Sequence, residues 1–278
     1  MRMKKIILVA IAVLFGIVTV GSLFFTYVPK ELTHVQNPIE LPPNEEPPTF
    51  DQEILDGIAE INEKNSKILH LSSRKVDVVI QQGIGIRLRG EIYYEKNKRF
   101  RLKIQRKFRN ILEADIGSNN SVFWFWSRQM EPCALYYAKH EDTLKTRLKT
   151  AFHPTSMMES LGIGEIDIKD ADISEFEGKW KVTKRRMTSG GAVLHSTVID
   201  PAKQRIVGSY ITTLSGRMIA SSEILNWQNG LPQTIVFNWH EENTILQLKL
   251  NDPVKNVRPN ESLWNMPNIT PKIDMATD

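Results

Sequence analysis

From Lys75 to Trp126, apolar and polar residues alternate through five short segments. One set comprises Val76, Val78, Ile80, Ile86, Leu88, Ile92, Tyr94, Phe100, Leu102, Ile104, Leu112, Ala114, Ile116, Val122, Trp124 and Trp126. The other comprises Lys75, Asp77, Arg87, Arg89, Glu91, Arg101, Lys103, Glu113 and Asp115. Side chains alternate across a strand with period two, so the pattern predicts a sheet with one dry face and one wet face. A second series follows at Trp180–Lys184, Ala192–Ile199, Arg205–Thr212, Arg217–Trp227, Gln233–Trp239 and Thr244–Leu250. Ser189-Gly190-Gly191, Asp200-Pro201, Ser215-Gly216 and Asn229-Gly230 separate its members, and gaps this short imply antiparallel hairpins. About eleven strands cannot stay in one flat sheet, because long twisted sheets curl or split. The expected fold is therefore mainly β: an unclosed, half β-barrel of about eleven antiparallel strands with a helical lid.

Three segments read as helical. Thr49-Phe50-Asp51-Gln52 fits a capping box, and Ile54, Leu55, Ile58, Ile61, Ile68 and Leu69 follow at helical spacing, giving an amphipathic helix over Asp51 to Leu69. The dry face of the strands that follow is its obvious partner. A Lys-rich helix is expected over Thr143 to Phe152, interrupted by His153-Pro154. A short helix over Thr155 to Leu161, ended by Gly162, would carry Met157, Met158 and Leu161 on its apolar side. Ile58, Ile61, Met157, Met158 and Leu161 are thus the candidate lid residues.

The N-terminus adds a membrane element. Arg2, Lys4 and Lys5 precede Ile6 to Val28, which has no charged residue. Those 23 residues would form a helix of roughly 34 Å, enough to cross a hydrocarbon core of about 30 Å. An uncleaved signal anchor is expected over residues 1–28, with a cleaved signal as the alternative; either places the remainder outside the cytoplasm. Residues 29–50 hold six prolines and read as a semi-rigid linker, followed by a folded domain over residues 51–267 and a tail over 268–278.

Several short motifs resemble the LolA/LolB-like lipoprotein-carrier superfamily, which includes RseB-like sensors. They are Gly90-Glu91-Ile92-Tyr93-Tyr94, Lys98-Arg99-Phe100-Arg101, Ala114-Asp115-Ile116-Gly117-Ser118-Asn119 ahead of Phe123-Trp124-Phe125-Trp126, and Trp264-Asn265-Met266-Pro267. The order of elements from Asp51 to Pro267 carries the resemblance further than any one motif. It implies an unclosed β-barrel with helices as its lid and acyl chains bound in the apolar interior. Where the family has an Arg-Pro turn this chain has Lys96-Asn97, so the arginine tied to lid closure in the carrier has no counterpart here.

On that reading, Val78, Ile80, Leu88, Ile92, Tyr94, Phe100, Leu102, Ile104, Trp124 and Trp126 are candidate walls of a lipid-binding cavity. Each buried methylene contributes roughly 0.8 kcal/mol, so ten are worth on the order of 8 kcal/mol. Charge enters at one place: ten basic residues fall between Arg87 and Arg109, although the net charge is only +4. Arg87, Arg89, Arg101 and Lys103 are candidates for headgroup contact, the plainer alternative being a solvated strand face.

The residues expected of an enzyme are absent from the sequence. Six histidines include no close ligand pair, and the single cysteine, Cys133, supplies no cluster or internal disulfide. Gly83-Ile84-Gly85 and Gly162-Ile163-Gly164 lack the spacing of a phosphate loop, and no GxSxG occurs. Asp170/Asp172 and Glu241/Glu242 lie in polar stretches and read as solvated. The expectation is a binding protein without cofactor or metal, whose partners are lipid or lipoprotein acyl chains and a membrane, not nucleic acid. It would serve lipoprotein sorting or lipid handling on the periplasmic side of an inner membrane; the alternative is an RseB-like envelope sensor acting through a protein partner.

Overall fold

The computed structural model describes residues 51–96, 99–108, 110–146 and 153–276. The expected anchor (1–28), the whole of the linker (29–50) and part of the Lys-rich helix lie outside them. The chain opens with α1 (Gln52–Ser66), then β1 (His70–Gln82), β2 (Ile84–Glu95), β3 (Arg99–Gln105), β4 (Leu112–Ser118), β5 (Val122–Ser127) and β6 (Leu135–Lys139). A 3-10 turn (His140–Lys145) and α2 (Pro154–Glu159) lead to β7 (Asp172–Phe176), β8 (Lys179–Thr188), β9 (Gly191–Asp200) and β10 (Arg205–Thr213). β11 (Met218–Gln228), β12 (Leu231–Trp239), β13 (Thr244–Asn251), β14 (Val254–Lys255), a 3-10 turn (Glu261–Trp264) and β15 (Lys272–Asp274) complete it.

All fifteen strands form one sheet, ordered β15-β6-β5-β4-β3-β2-β1-β13-β12-β11-β10-β9-β8-β7, with β14 paired to β1. Consecutive hairpins build each half, and β1 joins the halves by pairing with β13 through Val78↔Leu248 and Ile80↔Leu246. β15 and β7 stand at opposite ends of this order, so the barrel is unclosed. The 3-10 turn at His140–Lys145 touches both β6 and β8 and bridges the two flanks. β6, β7, β14 and β15 raise the number of strands from about eleven to fifteen. All four are short, two to five residues, where alternation has too few positions to register. β15 lies in the segment read as a tail; it runs parallel to β6 and Met275 is buried behind it.

α1 is capped two residues after Thr49, by Asp51, whose carboxylate accepts the Glu53 N–H at 3.0 Å. Its apolar stripe does not cover the strands that follow it in sequence. Ile58 and Ile61 pack with Val182, Ile199, Ile206 and Trp180 of β8–β10, at the far end of the sheet. Gly57 allows this docking, because a Cβ there would lie 2.4 Å from the Trp180 ring. Asn62 then fixes the chain leaving α2, donating to Ile166 O at 2.9 Å and accepting its N–H at 2.7 Å.

Candidate functional site

The inner face of the sheet is one continuous apolar surface. Ladder register puts Val78, Ile80, Leu88, Ile92, Tyr94, Phe100, Leu102 and Ile104 on it together. The second half adds Ile235, Phe237, Leu246 and Leu248, which share a single buried cluster with the first eight. Sequence reasoning left these four out of the candidate wall, although the alternation in Gln233–Trp239 and Thr244–Leu250 marks them. Burial holds the Tyr94 phenol neutral by raising its pKa, with the Glu165 charge adding to this.

Trp124 and Trp126 do not belong to that wall. Gly117 pairs with Trp124 and Asp115 with Trp126, so Phe123 and Phe125 are the residues of β5 that face inward. The two tryptophans lie on the outer face, under Met266 and Ile269 of the C-terminal segment. Leu112 also changes face, because a bulge sets it opposite Gln105 instead of continuing the Ile104↔Ala114 parity.

The outer face is likewise not a uniform basic surface. Arg101 is buried, its Nη2 donating to Asp115 Oδ2 at 2.7 Å and its Nε to Oδ1 at 3.1 Å. Its Nη1 donates to Leu263 O at 2.6 Å, and the guanidinium lies 5.7 Å from the Trp124 ring centroid. Arg101 therefore fastens the C-terminal segment and is unavailable to a headgroup. Arg89 sits opposite Asp77, and Lys103 lies between Glu91 and Asp115 in the ladder, so the charges there offset one another. Arg87 is exposed.

α2 covers the inner face. Pro154 is its first residue, and the His153 ring caps it, Nδ1 accepting the Thr155 N–H at 3.2 Å. Gly162 ends the turn after the helix with φ +69°, and a side chain there would meet Ile224. Met157, Met158 and Leu161 join the cluster formed by the sheet's inner face. Ile58 and Ile61 do not; they cover β8–β10 in a separate cluster.

The helix is tied down at its polar end. Glu159 accepts two hydrogen bonds from Arg186 Nη1, at 2.9 and 2.7 Å, and its Oε2 lies 3.3 Å from His195 Nε2. Beside it the hydroxyls of Ser160, Ser209 and Ser222 form a chain, at 3.4 and 2.8 Å. Burial lowers the pKa of His195 to about 4 against the opposing pull of Glu159, and Arg186 adds to the lowering. His153, packed edge-on to Phe123 at 4.4 Å, is also lowered to about 4, by burial and by nearby His140.

A cavity of about 580 Å³ opens at the rim, between the 3-10 turn and the β8–β9 and β10–β11 hairpins. Leu144, Val193 and Ile219 line it, and Leu144, Met187 and Leu214 are exposed large apolar residues on these same elements. The rest of its lining is largely polar, with Lys145, Arg217 and Glu241 among it, and Val193 also belongs to the buried cluster of the inner face.

No family model and no curated protein matches the chain. Solved structures do. A domain from Vibrio parahaemolyticus named for outer membrane lipoprotein sorting superposes with a TM-score of 0.51 at 9% identity, covering 76% of this chain and 95% of that one. The LolA superfamily protein NE2245 from Nitrosomonas europaea gives 0.47 at 13% identity, covering 75% and 97%. A DUF1329 family protein from Desulfovibrio piger gives 0.49 at 8% identity, covering 76% and 95%. The chain has a LolA/LolB-like fold.

Proposed function

We propose that this protein binds the acyl chains of a lipid or lipoprotein between α2 and the inner face of its half-barrel. The observation that carries this reading is the packing of a six-residue helix, through Met157, Met158 and Leu161, onto an apolar inner face that runs across both halves of the sheet and is buried throughout. Met157 and Met158 suit a removable cover, since methionine adapts to irregular apolar surroundings. The resemblance to lipoprotein carriers and the fold shared with a lipoprotein-sorting domain support the same ligand class. The basic residues ahead of the apolar N-terminal run support an anchor that keeps the domain outside the cytoplasm, within reach of a membrane, in lipoprotein sorting or lipid handling.

Native mass spectrometry of the full chain released from membranes tests this, together with uptake of a fluorescent fatty alcohol. Co-purifying lipid, and uptake that Met157→Glu abolishes while the fold survives by circular dichroism, are expected. Protein that is clean of lipid and takes up none overturns it.

A further inference from the structure

At the end of the sheet where α1 hands over to β1, a second cavity of about 560 Å³ collects positive charge. Lys64, Lys67, Lys203, Arg205 and Lys255 line it, and no Asp or Glu is among the described residues that do. Lys64 and Lys67 end α1, where lysine suits the helix dipole. The other three come from the β9–β10 turn, β10 and β14, and no such reason applies to them. Like charges brought together repel unless something offsets them. Lys67 and Lys203 have partial relief outside the cavity, from Glu63 and Asp200, both at 2.8–2.9 Å. Lys64 is bonded to the neutral Gln204, and Lys255 has no ion-pair partner among the described residues.

The walls are pre-set. Asn256, with φ 59°, accepts the Leu69 N–H and donates to Lys67 O, both at 2.8 Å, which fixes Lys255 beside the helix end. Gln204 donates to Glu60 at 2.6 Å and holds the β9–β10 turn against α1. Arg205 stacks over Trp227 at 5.4 Å. Ile68, which belongs to the apolar interior, and Trp227, which packs against it, both line this cavity. A group seated here would be anionic on one side and continuous with the interior on the other.

We propose that this cavity binds a phosphate-bearing group, either a phospholipid headgroup or a soluble phosphomonoester. The headgroup form rests on the acyl-chain reading above; the anion site itself does not. Calorimetric titration of the full chain in maltoside micelles tests it with glycerol 3-phosphate, dioctanoyl phosphatidate and dioctanoylglycerol. The variants are Lys64→Gln/Lys255→Gln, at exposed positions, and Lys272→Gln, at an exposed position of β15, as a control for general charge. Saturable glycerol 3-phosphate binding, weakened at least tenfold in the double variant and unchanged in Lys272→Gln, is expected. Phosphatidate binding at least tenfold tighter than dioctanoylglycerol assigns the site to lipid. Glycerol 3-phosphate binding alone supports a soluble ligand and counts against the acyl-chain reading. Dioctanoylglycerol binding with no gain from phosphate overturns the anion site and leaves the acyl-chain reading standing. Equal losses in both variants, or no phosphate binding, also overturn it.

Discussion

Glu159 at the end of α2 holds Arg186 of β8 through two hydrogen bonds from a single guanidinium nitrogen, at 2.9 and 2.7 Å. Both side chains are about one-third exposed, so solvent screens the pair and its net worth is about 0.5–1 kcal/mol. Its position matters more than its strength, since it joins the cover to the wall. Glu159→Gln is expected to lower stability by no more than about 1 kcal/mol. Amide exchange should nevertheless speed up selectively over Ser156–Leu161, and uptake of an acyl probe should be faster. Hydrogen exchange by mass spectrometry reads the first effect, and stopped-flow fluorescence the second.

His153 and His195 are buried neutral, each with a pKa lowered to about 4. Below the ordinary value of about 6.5 the unfolded chain takes up protons that the folded chain refuses. Their contribution is therefore complete above pH 6.5, falls as pH drops toward 4, and levels off below that. At the acid limit the loss is on the order of 3 kcal/mol per histidine. Denaturant titrations from pH 7 to 4 should show the decline, and His153→Asn should flatten part of it.

Asp115 is buried, with Arg101 as its ion-pair partner and Trp124 Nε1 donating to it at 3.2 Å. Removing one member of a buried pair leaves the other charge uncompensated, so Asp115→Asn should cost roughly 3–5 kcal/mol. Because Arg101 also holds Leu263 O, limited proteolysis should begin cutting within residues 263–276 before global unfolding. A cleavage pattern unchanged from the parent protein would sink this account.

In an exposed helix, Gly to Ala is worth about 1 kcal/mol of stabilisation. At Gly57 the sign should reverse, because the added methyl meets the Trp180 ring. Gly57→Ala is expected to destabilise, whereas Gly57→Ala combined with Trp180→Leu should recover much of the loss. Thermal melts of the two variants decide it.

Much of the architecture could be read from alternation alone, because β1, β2 and β3 are dry on one side and wet on the other. The reading failed where both sides are dry. Val122-Phe123-Trp124-Phe125-Trp126 is apolar at every position, so only hairpin pairing determines which residues face inward. The bulge beside Leu112 defeats parity in the same way. Arg101, Glu113 and Asp115 carry charges, as a wet face should, yet the structure buries all three. Contacts from Leu263 and Asn265, more than 140 residues away, enclose Arg101, and no local pattern announces such contacts. Neither did the stripe of α1 reveal that its partner strands begin more than 100 residues later. The basic cavity is invisible for the same reason, since its five cations come from three widely separated stretches of the chain.

α1 lies against strands from the second half of the chain, while β15 completes the edge begun by β6 in the first. The two ends of the fold are thus each finished by sequence from the opposite half. Contacts this distant close large loops before they return any stabilisation, which gives a high contact order and slow folding. A nascent chain emerging N-terminus first would hold α1 without its partner until β8–β10 had been made, and β6 would keep an unpaired edge until β15 had been made. Neither half would fold by itself, so assembly of this domain should behave as a single late event.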